Sequence, residues 1–273
     1  MVIPASWRCS ARYDIKATFF TPGHTIDSTP EAVTPYVEAG HELAHHGWTH
    51  RLPVTLSREE EEEEIVRGNE SIKRISGKRA RGYRSPAWDL SPHSIELLLK
   101  HGIQYDSSLM GHDYDCYYAR QGDVAELKKP FVRGRETDAG RDADQLVARR
   151  LPALRIHAQS QRLDPGRPDE RHQRAGELRR RLHLHDARAP DFGILTYTFH
   201  PHVIGRGHRM MMLERLIQKL MEDGAVFMTM EAAMARVADA ATVEAEGSGR
   251  VTAVRDPRSL SSRGRRPRTF SVP

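Results

Sequence analysis

The chain has 273 residues, enough for one large or two small domains. Its hydrophobic content of 38% and aromatic content of 7% are low for a compact domain of this length, so we expect part of the chain to lie outside the core. Two cysteines exclude a disulfide framework and a four-thiolate metal site. No run approaches the roughly 20 apolar residues of a membrane span, so we expect no membrane contact and a reducing, cytoplasmic location.

The basic residues are concentrated in two segments. The formal net charge is +5, with a pI of about 9.3, which would suit an anionic partner such as nucleic acid. Residues 132–190 hold fourteen arginines, no lysine and nine acidic residues, and residues 241–273 hold seven arginines and three acidic residues. Because these segments lack the interleaved aromatic residues of a stacking platform, we expect no nucleic-acid partner.

Strands and helices alternate in the predicted secondary structure. The predicted strands are Ile15–Phe20, His41–His45, Arg81–Pro86, Ile103–Leu109, Ile194–Phe199 and Ala225–Met230. The predicted helices run from Thr29 to Gly40, Ser57 to Gly77, Ser91 to Gly102, Arg209 to Asp223, and Met230 to Ala240. The alternation indicates a parallel sheet or barrel. The acidic run 59–64 is interpreted as the solvated first turns of a helix.

Residues 132–190 interrupt this alternation. They contain no aromatic residue in 59 positions. One interpretation is a genuine basic, disordered loop. The other is a stretch translated from a shifted reading frame that never encoded a folded segment, which we favour because long structureless insertions in compact domains are uncommon. In both cases we expect 132–190 to pack poorly, and the tail 241–273 to be disordered.

The segment Gly40–His50 carries four histidines. His46 and His50 stand four apart, so a single turn of coiled backbone would place both imidazoles on one side. Two neutral imidazoles make a good ligand pair for zinc or a similar divalent ion. The alternative is that these histidines are ordinary polar side chains at a strand end.

Three further polar residues fall at the carboxyl ends of predicted strands, namely Arg84, Asp106 and His200. In a parallel barrel, active-site groups gather at that end of the strands. Each residue has a simpler interpretation: a surface cation, a turn cap with the two following serines, and the end of a strand. Their coincidence with the histidine pair favours a functional site.

Together these motifs resemble the polysaccharide deacetylase (NodB-homology) family, especially the branch of cytosolic peptidoglycan deacetylase-like proteins, cyclic imidases and allantoinase-like proteins. The resemblance covers about residues 13–127 and 193–237. The segments that carry it are Ile15–Gly23, His46–His50, Arg84–Trp88, Tyr105–Ser108, Thr198–Pro201 and Gly205–Arg209.

The resemblance implies an α/β fold, a distorted and incomplete (β/α) barrel of the polysaccharide deacetylase type over residues 13–240. It also implies metal-dependent hydrolysis of a C–N bond in an N-acetylated carbohydrate or a small amide or imide. His46 and His50 would bind the divalent ion, most simply zinc. His200 would act as general acid, and Arg84 would orient a carboxylate base.

The same resemblance assigns a substrate-binding group. Trp88 and Pro86 would line the substrate pocket, and Asp106 would hold a neighbouring group in place. The resemblance leaves the oligomeric state open and is compatible with an oligomer.

One family motif has no counterpart. It is a strand ending in one or two aspartates, which supply the base and a third metal ligand, but Met1–Arg12 contains no acidic residue. We therefore expect either that the true start lies upstream or that this product is an inactive relative. Beside a peptidoglycan-type N-deacetylase, a cyclic imide or ureide amidohydrolase and a non-catalytic carbohydrate-binding relative remain alternatives.

Overall fold

The computed structural model describes residues 5–111, 116–124, 128–136, 147–148 and 194–236. The chain divides into two units, Met1–Met234 and Ala235–Pro273, and the elements that follow form the first. The disorder expected of residues 241–273, and the poor packing expected of most of 132–190, concern residues outside the described ranges. Among the described residues, no helix has the length and apolar character that a membrane crossing requires.

Short strands alternate with helices along the chain. The helices are α1 (Ala5–Arg12), α2 (Gly23–Ser28), α3 (Pro30–Glu38), α4 (Arg58–Ser76), α5 (Ser94–Lys100), α6 (Pro201–Ile204), α7 (Gly207–Glu222) and α8, which begins at Met230. The strands are β1 (Thr18–Thr21), β2 (Glu42–His45), β3 (Gly82–Tyr83), β4 (Tyr105–Asp106), β5 (Tyr117–Tyr118), β6 (Arg120–Gln121), β7 (Arg135–Glu136) and β8 (Val147–Ala148).

Six strands form one sheet in the order β1-β2-β3-β4-β8-β5. All neighbours in it are parallel except β8 and β5, and β6 and β7 form a separate antiparallel pair. The predicted arrangement of parallel strands alternating with helices is therefore observed. Within the described ranges the sheet stays open, as an incomplete barrel would.

Helix boundaries follow the residues that satisfy free backbone groups. Ser57 caps α4 by accepting the Glu60 N–H at 3.2 Å, and the Glu60 carboxylate accepts the Ser57 N–H at 2.8 Å, a reciprocal capping box. Gly77 ends the helix with a left-handed φ of 78°, which glycine adopts without steric cost. The helix predicted between Ser57 and Gly77 is confirmed.

Two predicted strands are extended segments without strand pairing among the described residues, namely 194–199 and 225–229. The Met230 N–H donates to the Thr18 hydroxyl at 2.8 Å, and the Glu231 N–H donates to Glu42 at 2.9 Å. Thr198 in the other segment accepts a hydrogen bond from a guanidinium. These contacts connect the two regions to the rest of the first unit, and within the described ranges neither predicted strand is observed as a strand.

The segment 132–190 contributes to the sheet, contrary to expectation. Val147 lies opposite Tyr105 and Tyr118, so β8 stands between β4 and β5. The pair β6–β7 also draws one strand from this interval. Two consecutive apolar residues, Val147 and Ala148, thus form a strand inside the sheet even within an arginine-rich segment.

The main hydrophobic core joins the sheet to four helices. Its buried members include Ile26 and Val33 from α2 and α3, Leu43 and Tyr83 from the sheet, Ile65 and Ile72 from α4, and Ile95, Leu97 and Leu98 from α5. A second cluster packs α1 against the C-terminal helices through Cys9, Ile204, Leu213 and Ile217. This second cluster brings the C-terminal helices onto the N-terminal part of the chain.

A buried carboxylate connects three parts of the sheet's amino end. Glu42, the first residue of β2, accepts hydrogen bonds from the Tyr105 hydroxyl and from the Thr18 hydroxyl, the latter at 2.7 Å. The Tyr105 ring lies directly over Gly82, where a Cβ atom would come within 1.9 Å of Tyr105 Cζ. The absence of a side chain at Gly82 therefore allows Tyr105 to reach Glu42.

His45, the last residue of β2, is fully buried. Its Nε2 lies 2.9 Å from the Ile65 carbonyl oxygen, and its Nδ1 accepts the Gly47 N–H at 3.1 Å. Nε2 is therefore the protonated nitrogen. Burial lowers the pKa of His45 to about 4, against the opposing effect of the Ile65 carbonyl.

We predict that Gly82→Ala lowers the free energy of unfolding by about 1–3 kcal/mol, because the new Cβ forces the Tyr105 ring away from Glu42. Urea unfolding followed by circular dichroism measures the change. Gly207→Ala is the matched control, since a Cβ at the first residue of α7 meets nothing within 4 Å. Equal unfolding midpoints for the two variants would contradict the prediction.

We also predict that His45 makes the fold sensitive to acid. An unfolded histidine has a pKa of about 6.5. Between pH 6.5 and 4 the unfolded chain therefore binds the extra proton, and stability falls as the pH falls through that window, by at most about 1.4 kcal/mol per pH unit for one group.

The measurement is the free energy of unfolding at several pH values between 7.5 and 4.5. His45→Gln should flatten the dependence by up to one proton, whereas His93→Gln, at an exposed position, should leave it unchanged. An unaltered slope in the His45 variant would refute this assignment.

Candidate functional site

The two histidines predicted to bind metal lie side by side at the carboxyl end of β2. The ring centroids of His46 and His50 are 4.8 Å apart and their planes cross at 78°. Between them the chain turns through Gly47, with φ of 71°, and His50 itself has a left-handed φ of 67°. This backbone turn allows two side chains four residues apart to meet.

His46 is oriented by the neighbouring strand. Its Nδ1 lies 2.6 Å from the Arg84 carbonyl oxygen, an acceptor that places the ring proton on Nδ1 and leaves a lone pair on Nε2. Burial lowers the pKa of His46 to about 3, although this carbonyl contact acts in the opposite direction. The imidazole is therefore neutral at physiological pH, which is the form that binds a metal ion.

The turn between the histidines is held by Glu64 of α4. One carboxylate oxygen accepts the Trp48 N–H at 2.8 Å and the Thr49 N–H at 2.7 Å, and the other accepts the Thr49 hydroxyl at 2.5 Å. The sequence analysis missed this residue.

The acidic run 59–64 is thus more than a solvated helix start. Glu59 and Glu63 are exposed, as predicted, but Glu61 is only 2% exposed and accepts hydrogen bonds from the hydroxyls of Ser91 and Ser94. The interpretation of the whole run as solvated is therefore wrong for Glu61 and Glu64, and Glu62 is half-buried and bonded to Lys100 and His101.

Arg84 lies in the centre of the candidate site and is 6% exposed. Its Nη1 donates to the Thr198 hydroxyl at 2.9 Å, its Nη2 donates to Ser107, and its guanidinium stacks 4.3 Å above the Phe20 ring. Its buried Nε has no acceptor among the described residues. Burial lowers the pKa of Arg84 to about 10, so it remains a cation at neutral pH with one N–H able to bind an anionic group.

Asp106 is fully buried and caps the turn that follows β4. Its Oδ2 accepts the N–H groups of Ser108 and Leu109 at 2.8 and 3.0 Å, and its Oδ1 accepts the Ser108 hydroxyl at 2.6 Å. Burial raises the pKa of Asp106, and these hydrogen bonds oppose the effect. The residue therefore shapes the turn that presents Ser107 to Arg84.

The pocket residues expected after β3 occupy a strained bend. Ala87 and Trp88 both have left-handed backbone angles, with φ of 55° and 61°. Non-glycine residues pay about 1–2 kcal/mol each for this conformation. Trp88 is half-buried, while Pro86 is buried and lies beside Gly47, whose Cβ position would be 3.7 Å from Pro86 Cγ.

His200 precedes α6 and is exposed. Its ring centroid lies 5.7 Å from that of His202. Because Thr198 bonds to Arg84, the segment that leads to His200 runs alongside the arginine. The structure thus brings parts of the predicted site from both ends of the first unit to Arg84.

The histidine pair fits a divalent ion as two of its protein ligands. The lone pair on His46 Nε2 and the adjacent His50 ring are the donors such an ion requires. Among the described residues there is no group of three or more histidine, cysteine, aspartate or glutamate side chains suited to a metal. The two histidines could therefore supply only part of the protein ligands of a metal ion.

Part of this chain is similar in sequence to known proteins. A family model described as polysaccharide deacetylase matches residues 2–105. A peptidoglycan deacetylase of Helicobacter pylori is 39% identical over 146 residues, which cover 50% of this chain and 50% of the relative. The chain thus spans half the length of that relative.

Solved structures share the fold at lower identity. A Mycobacterium smegmatis protein assigned to the polysaccharide deacetylases aligns with a TM-score of 0.65 and 24% identity, over 93% of this chain and 80% of the other. The Puue allantoinase aligns with a TM-score of 0.65 and 17% identity, over 85% of this chain and 70% of the other. The predicted resemblance to the polysaccharide deacetylase family is therefore confirmed over residues 2–105.

Proposed function

We propose that this site belongs to a metal-dependent N-deacetylase of the polysaccharide or peptidoglycan type, acting on N-acetylated carbohydrate. The observation that carries the proposal is the paired arrangement of His46 and His50, with His46 Nε2 open and its Nδ1 held by the strand that bears Arg84. The peptidoglycan deacetylase relative supports the substrate class.

Each group has a role in the hydrolysis. A divalent ion, most simply zinc, held by His46 and His50, would supply polarisation of the amide carbonyl and activation of water. Water adds to the carbonyl carbon, the C–N bond breaks, and acetate and a free amine are released. His200 would donate the proton that the leaving nitrogen takes up.

Arg84 would bind the carboxylate that serves as base. Its Nε points to no acceptor among the described residues, and a buried N–H without a partner costs about 1–3 kcal/mol. A carboxylate placed there would remove that cost and neutralise the buried cation. Trp88 would form a wall of the sugar pocket, with Pro86 and Asp106 supporting it.

Two alternative functions are a carbohydrate-binding relative without hydrolytic activity and a cyclic imide or ureide amidohydrolase. The absence of a third ligand among the described residues favours a carbohydrate-binding relative that does not hydrolyse its ligand. A cyclic imide or ureide amidohydrolase would use the same groups on a different substrate.

We predict that the chain binds one zinc ion and that His46→Ala and His50→Ala each abolish this binding, because each removes one of the two ligands that the described residues supply. Isothermal titration of the metal-free protein at pH 7.5 measures the affinity. His93→Ala, at an exposed position remote in sequence, should bind as the unaltered chain does. Zinc binding that survives both substitutions would rule out this site.

We further predict low turnover, because the described residues supply two metal ligands and no carboxylate base beside them, and general-base help normally contributes about 10²–10⁴-fold. A chain with a grafted first strand ending in aspartates should gain zinc-dependent release of acetate from an N-acetylated oligosaccharide. His200→Ala should then remove most of that gain.

The substrate alternatives are separated in the same assay. Hydrolysis of a cyclic imide in place of the oligosaccharide would favour the amidohydrolase. Binding of the oligosaccharide without hydrolysis, even by the grafted chain, would favour the carbohydrate-binding relative and contradict the deacetylase.

A further inference from the structure

The geometry points to Glu64 as the positioning residue of the histidine pair: its carboxylate fixes the turn that sets the distance between His46 and His50. This inference rests on the proposed metal site. Trp48 and Thr49 lie between the two histidines, and both of their N–H groups point at one oxygen of Glu64.

The turn needs such an anchor because its backbone is strained. His50 adopts a left-handed conformation, which costs a non-glycine residue about 1–2 kcal/mol. Hydrogen bonds to a carboxylate are about twice as strong as those between neutral groups. Three of them converge on Glu64, enough to hold a conformation that the chain would otherwise leave.

Glu64 is itself held by contacts of its own helix turn. The next residue, Ile65, offers its carbonyl to His45. The guanidinium of Arg67 stacks 3.2 Å from the centre of the Trp48 ring, and the Trp48 indole N–H donates to Asp27 at 3.0 Å. Trp48 of the turn is therefore also contacted by Arg67 of α4 and by Asp27 of α2.

A ligand role for Glu64 is disfavoured by the same contacts. Both carboxylate oxygens are occupied by donors of the turn, one by two N–H groups and the other by the Thr49 hydroxyl. A metal ion bound to Glu64 would have to displace them. The carboxylate acts on the metal through the histidines that it positions.

The test compares zinc affinities, measured by competition with a chromophoric chelator, in the full chain and four variants. Glu64→Ala should weaken zinc binding by about 10–100-fold, the usual effect of removing a group that orients a metal ligand. Glu64→Gln should recover most of the affinity, because an amide oxygen can accept both N–H groups while its NH₂ donates to Thr49. Glu70→Ala, an exposed residue on the same helix, should bind as the unaltered chain does.

A second readout needs no metal. Hydrogen exchange of the Trp48 and Thr49 amides, followed by NMR in the metal-free protein, should be faster in Glu64→Ala than in the unaltered chain. If Glu64→Ala does not fold, Glu64→Gln and Thr49→Val carry the test, and Thr49→Val should weaken zinc binding by a smaller factor than the loss of all three bonds.

The possible results distinguish failure of the proposed metal site from failure of the positioning role of Glu64. If zinc binding does not depend on His46 and His50, the proposed function fails, while faster amide exchange would still show that Glu64 holds the turn. If binding depends on the histidines but Glu64→Ala binds zinc unchanged, the positioning role is overturned. A loss in Glu64→Gln as large as in Glu64→Ala would show that the carboxylate acts by charge or ligation, which also overturns it.

Discussion

The candidate site depends on the close packing of α4 against the carboxyl end of β2. A Cβ at Gly68 would lie 2.4 Å from Nε2 of His45, so only a glycine lets that imidazole reach the Ile65 carbonyl. The same helix turn carries Glu64, which holds the chain just beyond the strand. Helix α4 therefore contacts the end of β2 and the turn that carries the histidine pair, so a shift of α4 would disturb all three.

The second constraint is the buried cation Arg84, whose guanidinium makes no salt bridge among the described residues, although the charge of the buried Asp106 acts on its pKa. Arg84 is surrounded by hydroxyl groups and an aromatic face, which satisfy its Nη atoms but do not neutralise it. Burying a charge is costly unless hydrogen bonds and an opposite charge compensate it. Such an arrangement persists where an anion belongs in the working state, and this fits a site that receives a carboxylate or develops negative charge during hydrolysis.

Helix ends and the order of motifs were predictable from local chemistry, since capping residues such as Ser57 and Gly77 act within a few residues of themselves. Which glutamates of α4 are buried was not predictable. Six consecutive residues at 3.6 per turn point in every direction around a helix, so a packed helix must turn some of them inward. Sequence alone does not say which ones. Likewise, the composition of residues 194–199 predicts extended backbone, whereas strand pairing depends on a neighbour far along the chain.

The residues that orient the proposed metal ligands and the residue proposed to transfer a proton come from different parts of the chain. The groups that orient the histidine pair are Glu64, between β2 and β3, and the carbonyl of Arg84, the residue that follows β3; both belong to the N-terminal part of the chain. His200, the proposed general acid, comes from the C-terminal part, two residues after Thr198, whose hydroxyl accepts a hydrogen bond from the Arg84 side chain. Arg84 therefore contacts both halves, its backbone setting His46 and its side chain setting the segment of His200. Displacement of that segment would impair proton transfer while leaving the metal pair in place.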